Sequence, residues 1–450
     1  MARMANRSDV DLSGAHPTPP DRAQLVYDLA VFLRWFSATL PMALLVLLLQ
    51  SRGLNLFHVG LFMAVHSAVI IVLEVPSGGL ADSIGRKRVA ILAQVFTLSS
   101  TLVLLVAFPL WAFVAAALLM GTGRALSSGA LDAWFVDTLL ANDAAIDLQP
   151  PLARAQAVAI VGMALGSLSG GAIPQLLGAS LPPDGTAVLT PLSLPLLASV
   201  AVQALLIVLL ALLVREVRPP STEGGGASTP RGIAALRPIL AAALRAARDD
   251  RVVTLILVST AAAGLAVASL ETFWQPRFAT LLGGRADADP AVFGGVLAGA
   301  FAVGVVGNLV SIPLARLWRR RYGRVAALGQ AVAGVALLIL AGREGVPAAL
   351  VAFWLAYLGN ALSASPIAAI LNEEVPSQRR SATLSVVSLA GYVGALVGSI
   401  TFGALAETAG IPTVWIVAGT VLAASALLLL AVDRIRSARL AGDAADARAA

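Results

Sequence analysis

The sequence predicts an all-α membrane protein with twelve transmembrane helices, arranged as two six-helix repeats. Three observations support this prediction: the composition, the number of long apolar runs, and a similarity between the two halves of the chain. Of the 450 residues, 58% are hydrophobic and only 12% are charged. Soluble proteins carry about 25% charged residues. So few charges cannot cover a chain of this size against water, and we expect a lipid bilayer to cover most of its surface.

The apolar runs are long enough to cross a membrane, since a spanning helix needs about 20 predominantly apolar residues. The sequence contains twelve such runs, and they are apolar all around the helix rather than along one face. We place them at about 27–50, 57–80, 89–110, 112–139, 153–178, 190–214, 252–276, 291–315, 325–342, 346–371, 382–405 and 412–432.

A polar segment in the middle of the chain separates six runs from the other six. It contains Pro219-Pro220 and the glycines 224–226, which predict a flexible linker. Its second part predicts an amphipathic helix on the membrane surface, with a disordered loop as the alternative. The predicted division is a tail 1–24, a bundle 25–214, a linker 215–251, a bundle 252–432 and a tail 433–450.

The two halves resemble each other at a constant offset of 236 residues. Residues 89–94 match 325–330, and residues 123–127 match 359–363. Two independent matches at one offset predict parallel repeats, an arrangement in which the substrate site lies between the repeats near the membrane midplane.

Basic residues concentrate in alternate loops, for example Arg86-Lys87-Arg88 and Arg319-Arg320-Arg321, while the other loops hold only Arg52, Arg277, Arg285 and Arg343. The positive-inside rule then places the basic loops and both termini in the cytoplasm. Residues 1–24 lack the apolar stretch of a signal peptide. We therefore expect a multi-pass protein of the inner or plasma membrane.

Several classes of site are excluded by residue content. The chain has no cysteine, and its three histidines lack metal-ligand spacing, so we predict no metal, no cofactor and no catalytic residues. There is no phosphate-binding loop for direct use of ATP. The net charge of +6 sits in loops, so we expect no nucleic-acid partner. The protein is predicted not to be an enzyme, with a multi-span membrane enzyme as the remote alternative.

The loop after the second run reads Gly78-Gly-Leu-Ala-Asp82-Ser-Ile-Gly85-Arg86-Lys87-Arg. This pattern resembles the loop between helices 2 and 3 of the major facilitator superfamily, with Ser83 where that family usually has a basic residue. The resemblance extends over about residues 25–432 and is closest to bacterial drug/proton antiporter-type members. It implies a twelve-helix transporter that works by alternating access.

The resemblance also implies a latch made of Gly78, Asp82, Gly85, Arg86 and Lys87. Asp82 would face a helix N-terminus across the bundle interface, with helix 11 as the candidate. Arg86 would pair with Asp137 at the end of helix 4. The repeat offset leads from Asp137 to Glu373, beside Arg319–Arg321, which suggests a degenerate second copy. The alternative is that these charges only fix topology.

The fifth run contains glycines at four-residue spacing: Gly162, Gly166, Gly170 and the adjacent Gly171. The spacing resembles the antiporter motif of the superfamily, with Ser167 in place of its proline, and so implies export. Close helix packing explains the same glycines nearly as well.

Four embedded charges are candidates for the substrate or proton pathway: Arg34, Arg124, Asp132 and Glu271. A charge at the membrane centre costs about 2.5–3.5 kcal/mol, so we expect these groups to face a cavity or a partner. We expect an ion pair between Arg34 and Asp132. Glu271 is either a cavity acid or an interfacial anchor near Arg277.

Aromatic residues in the spans predict a cavity for flat or cationic compounds; they are Trp35, Trp134, Trp274, Trp354, Tyr357 and Tyr392. Glu74, next to Pro76 in the second run, is expected to contact the basic loop that follows. Together these features predict proton-coupled export of small organic compounds by a secondary transporter, with symport or uniport of a metabolite as the alternative. The expected partners are a small-molecule substrate, protons and the lipid bilayer, and the protein is expected to be a monomer.

Overall fold

The computed structural model describes residues 18–182, 187–216, 250–284, 289–375 and 377–449. The predicted amphipathic helix within 215–251 lies outside these ranges. The described chain contains α-helices and one 3₁₀ turn and no strand. The helices are α1 (Pro20–Thr39), α2 (Leu45–Ser51), α3 (Leu56–Ile84), α4 (Arg86–Val106), α5 (Leu110–Leu126), α6 (Ala130–Asn142), α7 (Gln149–Leu177), α8 (Leu194–Leu213), α9 (Arg251–Leu281), α10 (Pro290–Leu317), α11 (Tyr322–Ala341), α12 (Val346–Glu374) and α13 (Ser377–Ala449).

These helices confirm the twelve predicted spans. In the described chain, ten helical stretches are long and apolar enough to cross a membrane. The last of them is two spans, because α13 breaks at Gly410, where φ is 81° and ψ is 160°. The first predicted span is not among the ten stretches, because the turn at 40–44 divides it into α1 and α2; this span and the two spans of α13 bring the count to twelve.

The fourth span is broken as well, whereas the sequence predicted one continuous helix. α5 ends at Leu126 and α6 begins at Ala130, with Gly129 at φ 80° between them. The break places Arg124 in the last turn of α5 and Asp132 in the first turn of α6. A cation at a helix C-terminus and an acid at an N-terminus both interact favourably with the helix dipoles.

The glycine spacing of α7 brings two helices into backbone contact. A Cβ atom at Gly162 would lie 2.9 Å from the carbonyl oxygen of Phe32 on α1, and at Gly170 it would collide with the carbonyl oxygen of Leu40. A Cβ atom at Gly166 would also collide with α1, at the carbonyl oxygen of Phe36. Ser167, in the place of the motif proline, donates a hydrogen bond to the Met163 carbonyl, and α7 continues through it.

Gly171 packs in another direction, against the second half of the chain. A Cβ atom there would lie 2.7 Å from the carbonyl oxygen of Pro290 and 2.9 Å from Cα of Gly294, both on α10. α7 therefore uses its glycines for contacts within the first half and across the interface between the halves.

We call the end of the molecule that holds Arg86, Arg154, Arg321 and Arg436 the basic end, and the opposite end, with Arg52 and Glu407, the far end. The largest hydrophobic cluster contains residues of both halves, among them Leu48 and Phe273. The clusters nearer the basic end each belong to one half alone. The two halves thus share a core at the far end and have separate cores at the basic end.

Polar contacts also join the halves at the far end. The backbone N–H of Val46 donates to Oε1 of Gln275 at 2.9 Å, and Nε2 of Gln275 donates to the Met42 carbonyl at 2.9 Å. The Leu56 N–H donates to the carboxylate of Glu407. These bonds close the far end over the space between the halves.

Candidate functional site

A cavity of about 550 Å³ lies between the halves. Its lining comes from α1, α2, α3, α4, α5 and α8 of the first half and from α9 and α13 of the second. Much of the surface is apolar, including Trp35, Met42, Met63, Met120 and Trp274. Ligand sites for small molecules commonly have this size and a largely apolar lining with a few polar groups.

Three of the four predicted pathway residues line this cavity. Arg34 and Arg124 belong to the first half, and Glu271 belongs to the second. No ion pair within 4.0 Å joins any of the three to another group in the described part of the chain. The Cζ atom of Arg34 instead lies 5.2 Å from the centroid of the neighbouring Trp35 ring.

Asp132 is not part of the lining, and its predicted ion pair with Arg34 is wrong. The hydroxyl of Tyr27 donates to Oδ1 of Asp132 at 2.6 Å, and the Tyr27 ring stacks on Phe135 at 4.1 Å. The break between α5 and α6 is the reason, since the prediction assumed one straight helix from Arg124 to Asp132.

Glu271 is a cavity acid, which was one of its two predicted roles. Its side chain is exposed to the cavity. It interacts electrostatically with the hydroxyls of Tyr357 on α12 and Tyr392 on α13. Among the described residues the Tyr357 hydroxyl has no hydrogen-bond partner. The alternative role was an interfacial anchor near Arg277. The Arg277 side chain instead donates to the Arg343 carbonyl.

Sequence reasoning missed two polar residues of the cavity wall. Gln203 on α8 is 2% exposed, and its Nε2 donates to Oγ of Ser199 at 2.9 Å. Within the described part of the chain, neither Oε1 of Gln203 nor the hydroxyl of Ser399 on α13 has a hydrogen-bond partner. A signal for Gln203 was present, because Ser199 and Gln203 are the polar side chains of the run Leu194–Leu213.

A third missed contact crosses between the halves. The Ser388 hydroxyl on α13 donates to Oε1 of Glu74 on α3 at 3.0 Å, and the other carboxylate oxygen of Glu74 is buried without a hydrogen bond. We expected Glu74 to contact the basic loop after α3. Its position inside α3 turns it towards α13 instead.

The predicted latch residues lie at the turn between α3 and α4. Gly85 adopts φ 99°, which favours glycine, and the Arg86 N–H donates to the Glu216 carboxylate at 2.5 Å. Arg86 forms an ion pair with Asp137, and Nζ of Lys87 donates to the Ala211 carbonyl at 2.7 Å.

All of these latch contacts belong to the first half, where they hold α4, α6 and the end of α8 together. The surroundings of Gly78 and the side chain of Asp82 are not among the described parts of the structure. Contact of Asp82 with helix 11 therefore stays a prediction.

Glu373 is at the basic end, but the predicted neighbourhood is wrong. It pairs with Arg436 of α13 at 2.6 Å rather than with Arg319–Arg321. Arg321 and Arg324 instead approach Asp433 at 3.7 Å and 3.2 Å. α13 continues beyond residue 432, where the last predicted span ends, and brings its own charges to this end, which the repeat offset could not show.

The predicted aromatic lining is correct in part. Trp35, Trp274 and Tyr392 line the cavity. Trp134 and Trp354 do not, and their ring N–H groups donate to the carbonyls of Arg215 and Val296 at 2.9 Å.

Solved structures of transporters resemble this chain along nearly its whole length. A mutant of the nucleoside transporter NupG superposes with a TM-score of 0.74 at 11% identity, over 91% of this chain and 99% of that one. A bacterial homologue of the human lysosomal transporter Spinster, inward-facing and unoccupied, gives 0.68 at 16%, over 92% and 95%. A POT family transporter in complex with 5-aminolevulinic acid gives 0.65 at 14%, over 94% and 97%.

These likenesses show the fold. No curated protein matches the sequence. The family model of the major facilitator superfamily matches residues 28–353 and 286–448. The match covers nearly the whole chain, and so this protein is a member of the major facilitator superfamily of membrane transporters.

Proposed function

We propose that this protein couples the movement of small organic compounds to protons and that Glu271 carries the proton. One observation carries the proposal: Glu271 is exposed to the central cavity and has no ion-pair partner within the described part of the chain. A carboxyl group without a fixed cation responds to a charge brought by a bound compound. Asp132 is the weaker candidate, because it lies outside the lining and is held by Tyr27.

Alternating access would proceed by rocking of the two halves around the cavity. The contacts α7 with α10 and α3 with α13 join the halves and would act as the pivots. We propose that the basic end faces the cytoplasm of a bacterial inner or plasma membrane. The far end would then be the outer gate, closed in this structure. A monomer suffices, because both halves that form the cavity belong to one chain.

Two modes of coupling are open to such a site. The α7 glycines resemble the antiporter motif and favour export by proton exchange, as does the presence of embedded charges. However, the contacts of these glycines with α1 and α10 account for them as packing residues. The second mode is symport, and it is favoured by the two arginines that share the cavity with Glu271. The solved relatives named above are transporters, and we propose transport rather than catalysis for this chain too.

Proton movement in inverted membrane vesicles tests the proposal. A panel of organic acids, amides and amines is added while a dye reports internal pH, with wild type beside Glu271→Gln and Asp132→Asn. We expect some compounds to move protons in wild type and Asp132→Asn, and none in Glu271→Gln. Vesicle content and gel filtration show that each variant is present and folded.

Labelled compound should still equilibrate in Glu271→Gln, because only the coupling is lost. Proton movement that survives in Glu271→Gln overturns the assignment of the proton to this residue. Loss in Asp132→Asn alone would transfer the role to Asp132. Equilibration without proton movement in wild type would show a uniporter.

A further inference from the structure

We infer that the compound carried by this cavity is an organic monoanion, a carboxylate joined to a flat apolar body, and that it binds together with one proton. The inference rests on the proposed function for the proton, and it adds the chemical class of the substrate.

The first step is the set of donors on one wall of the cavity. Arg34 and Arg124 line it from α1 and α5, and the two guanidinium groups interact electrostatically with each other. Neither has an ion-pair partner within 4.0 Å among the described residues. The Gln94 side chain lines the same region beside Arg34, as does Ser127, whose hydroxyl donates to the Arg124 carbonyl. A guanidinium presents paired N–H donors whose geometry matches a carboxylate.

The same wall disfavours the cationic compounds that the aromatic content suggested. Trp35 lies under the guanidinium of Arg34, so a protein cation already occupies its neighbourhood. A bound ammonium group there would meet two like charges, and charge repulsion inside a protein is stronger than in bulk water.

The charge of the lining favours an anionic ligand in both states of Glu271. Arg34, Arg124, Glu271 and a neutral His66 give the lining a net charge of +1 when Glu271 is ionised and +2 when it is protonated. Asp132 lies outside the lining, accepts a hydrogen bond from Tyr27 and interacts electrostatically with Arg34. One negative charge on the ligand neutralises the lining in the first state and halves its charge in the second, and uncompensated charge in the membrane interior is costly.

Glu271 links the anion to the proton. When it is ionised, it shares the cavity with the bound anion and repels it, and protonation removes the repulsion. Tyr357 and Tyr392 interact electrostatically with Glu271, and Tyr392 also interacts with Arg124 and Glu74. His66 lines the same cavity from α3 and interacts with Arg124. By thermodynamic linkage, a proton that tightens anion binding is itself bound more tightly when the anion is present. Ligand and proton then move in the same direction, which favours symport over exchange.

The rest of the lining describes the body of the ligand. Trp274 and Tyr392 offer flat surfaces on the second half, and Met42, Met63 and Met120 provide adaptable apolar contacts. A volume of about 550 Å³ accommodates a fused aromatic ring system with its carboxylate.

Binding to the detergent-purified full chain tests the inference without any proton gradient. The probes are 2-naphthoate, 2-naphthyl phosphate, 2-naphthamide, 2-naphthylmethylamine and 3-(2-naphthyl)alanine, measured by isothermal titration calorimetry at two pH values. We expect 2-naphthoate to bind at least about tenfold more tightly than the amide, which corresponds to about 1.4 kcal/mol. At the higher pH, where Glu271 is ionised and the lining carries a net charge of +1, we expect the phosphate, with its greater charge, to bind more weakly than the carboxylate.

Single-residue variants then test which cavity residues bind the carboxylate. Arg124→Gln should remove the preference for the carboxylate, and Arg124→Lys should restore part of it. Arg316→Gln removes an equal charge at the exposed basic end and should change nothing. Glu271→Gln should bind 2-naphthoate at least as tightly as wild type and lose the dependence on pH. Thermal unfolding confirms that each variant is folded.

The inference is overturned if the amide, the amine or the zwitterion binds as tightly as the carboxylate, or if the carboxylate does not bind. It is also overturned if Arg124→Gln keeps the preference. Its failure is separable from that of the proposed function. If adding the amine moves protons, the proton coupling stands and only the assignment of an anionic substrate is refuted. If 2-naphthoate binds tightly but no compound moves protons, the anionic substrate stands and the proton coupling is refuted.

Discussion

In the first half of the molecule α7 lies against the backbone of α1 at Gly162 and Gly170, and in the second half α13 lies against α9 at Gly394 and Gly398. The fifth helix of each repeat therefore packs on the first helix of the same repeat. A close helix pair in lipid requires only small residues at the contact, so this feature is present in both halves despite their different sequences.

The charges of the two halves are arranged differently. The first half places two arginines in the cavity, and at its basic end the pair Arg86–Asp137 is partly exposed to solvent. The second half places one acid, Glu271, in the cavity. At its basic end α13 carries a larger network, in which Arg436 bridges Glu373 and Glu374. The comparison indicates that the first half supplies most of the cavity lining and that the second half has more ion pairs at the basic end.

The largest effect is expected from variants that disrupt the close helix contact present in both halves. Gly170→Ala and Gly394→Ala each place a Cβ atom against a backbone carbonyl, of Leu40 and Ala261 respectively. Overpacking against backbone should cost about 3 kcal/mol or more and sharply lower the melting temperature of the detergent-purified protein.

The matched control for these two variants is Gly295→Ala on α10, where a Cβ atom meets nothing within 4 Å. It should leave the melting temperature unchanged within about a degree. Equal melting temperatures for all three variants would contradict the close helix contact.

A smaller effect is expected from variants of the ion pairs at the basic end, where the two halves differ. The Glu374 side chain is 16% exposed and pairs with Arg436, which is 11% exposed, whereas Asp137 is 57% exposed. Glu374→Gln should therefore destabilise by about 2 kcal/mol, since it leaves a largely buried cation without one of its partners. Asp137→Asn should cost less than about 1 kcal/mol.

Thermal unfolding of the two variants at low and high salt checks this prediction. The effect of Asp137→Asn should shrink in high salt because exposed pairs are screened, and that of Glu374→Gln should persist. A larger loss for Asp137→Asn would reverse the comparison.

The smallest effect concerns the contact between the halves. Ser388→Ala removes the hydrogen bond to Glu74 and should shift the balance between conformations by about 1 kcal/mol. The chain has no cysteine, so spin labels can be attached at Arg88→Cys and Arg316→Cys, one on each half. Pulsed electron paramagnetic resonance should then show a larger population of molecules with the longer distance between the two labels.

Thr401→Ala is the control for this experiment, because its hydroxyl bonds only to Val397 of its own helix. An identical distance distribution in Ser388→Ala and wild type would show that the Glu74 contact does not hold the halves together.

The candidate site was predicted unevenly. Arg34, Arg124 and Glu271 were identified because a charge inside a membrane span must face water or a partner. The role of Asp132 was misjudged because the break at Gly129 redirects the helix. Gln203 was missed because a neutral amide carries no such cost. Glu74 was noticed, but its partner Ser388 is 314 residues away and no local pattern indicates it.

The sequence by itself determined the twelve spans, the repeat and the family, because hydrophobic length and loop motifs are local properties of the chain. Only the tertiary structure decided which charges share the cavity, which lie behind its wall, and which end is closed. Those outcomes depend on helix breaks and on contacts between distant helices. A single glycine with positive φ, such as Gly129, changes the direction of every side chain that follows it in the span.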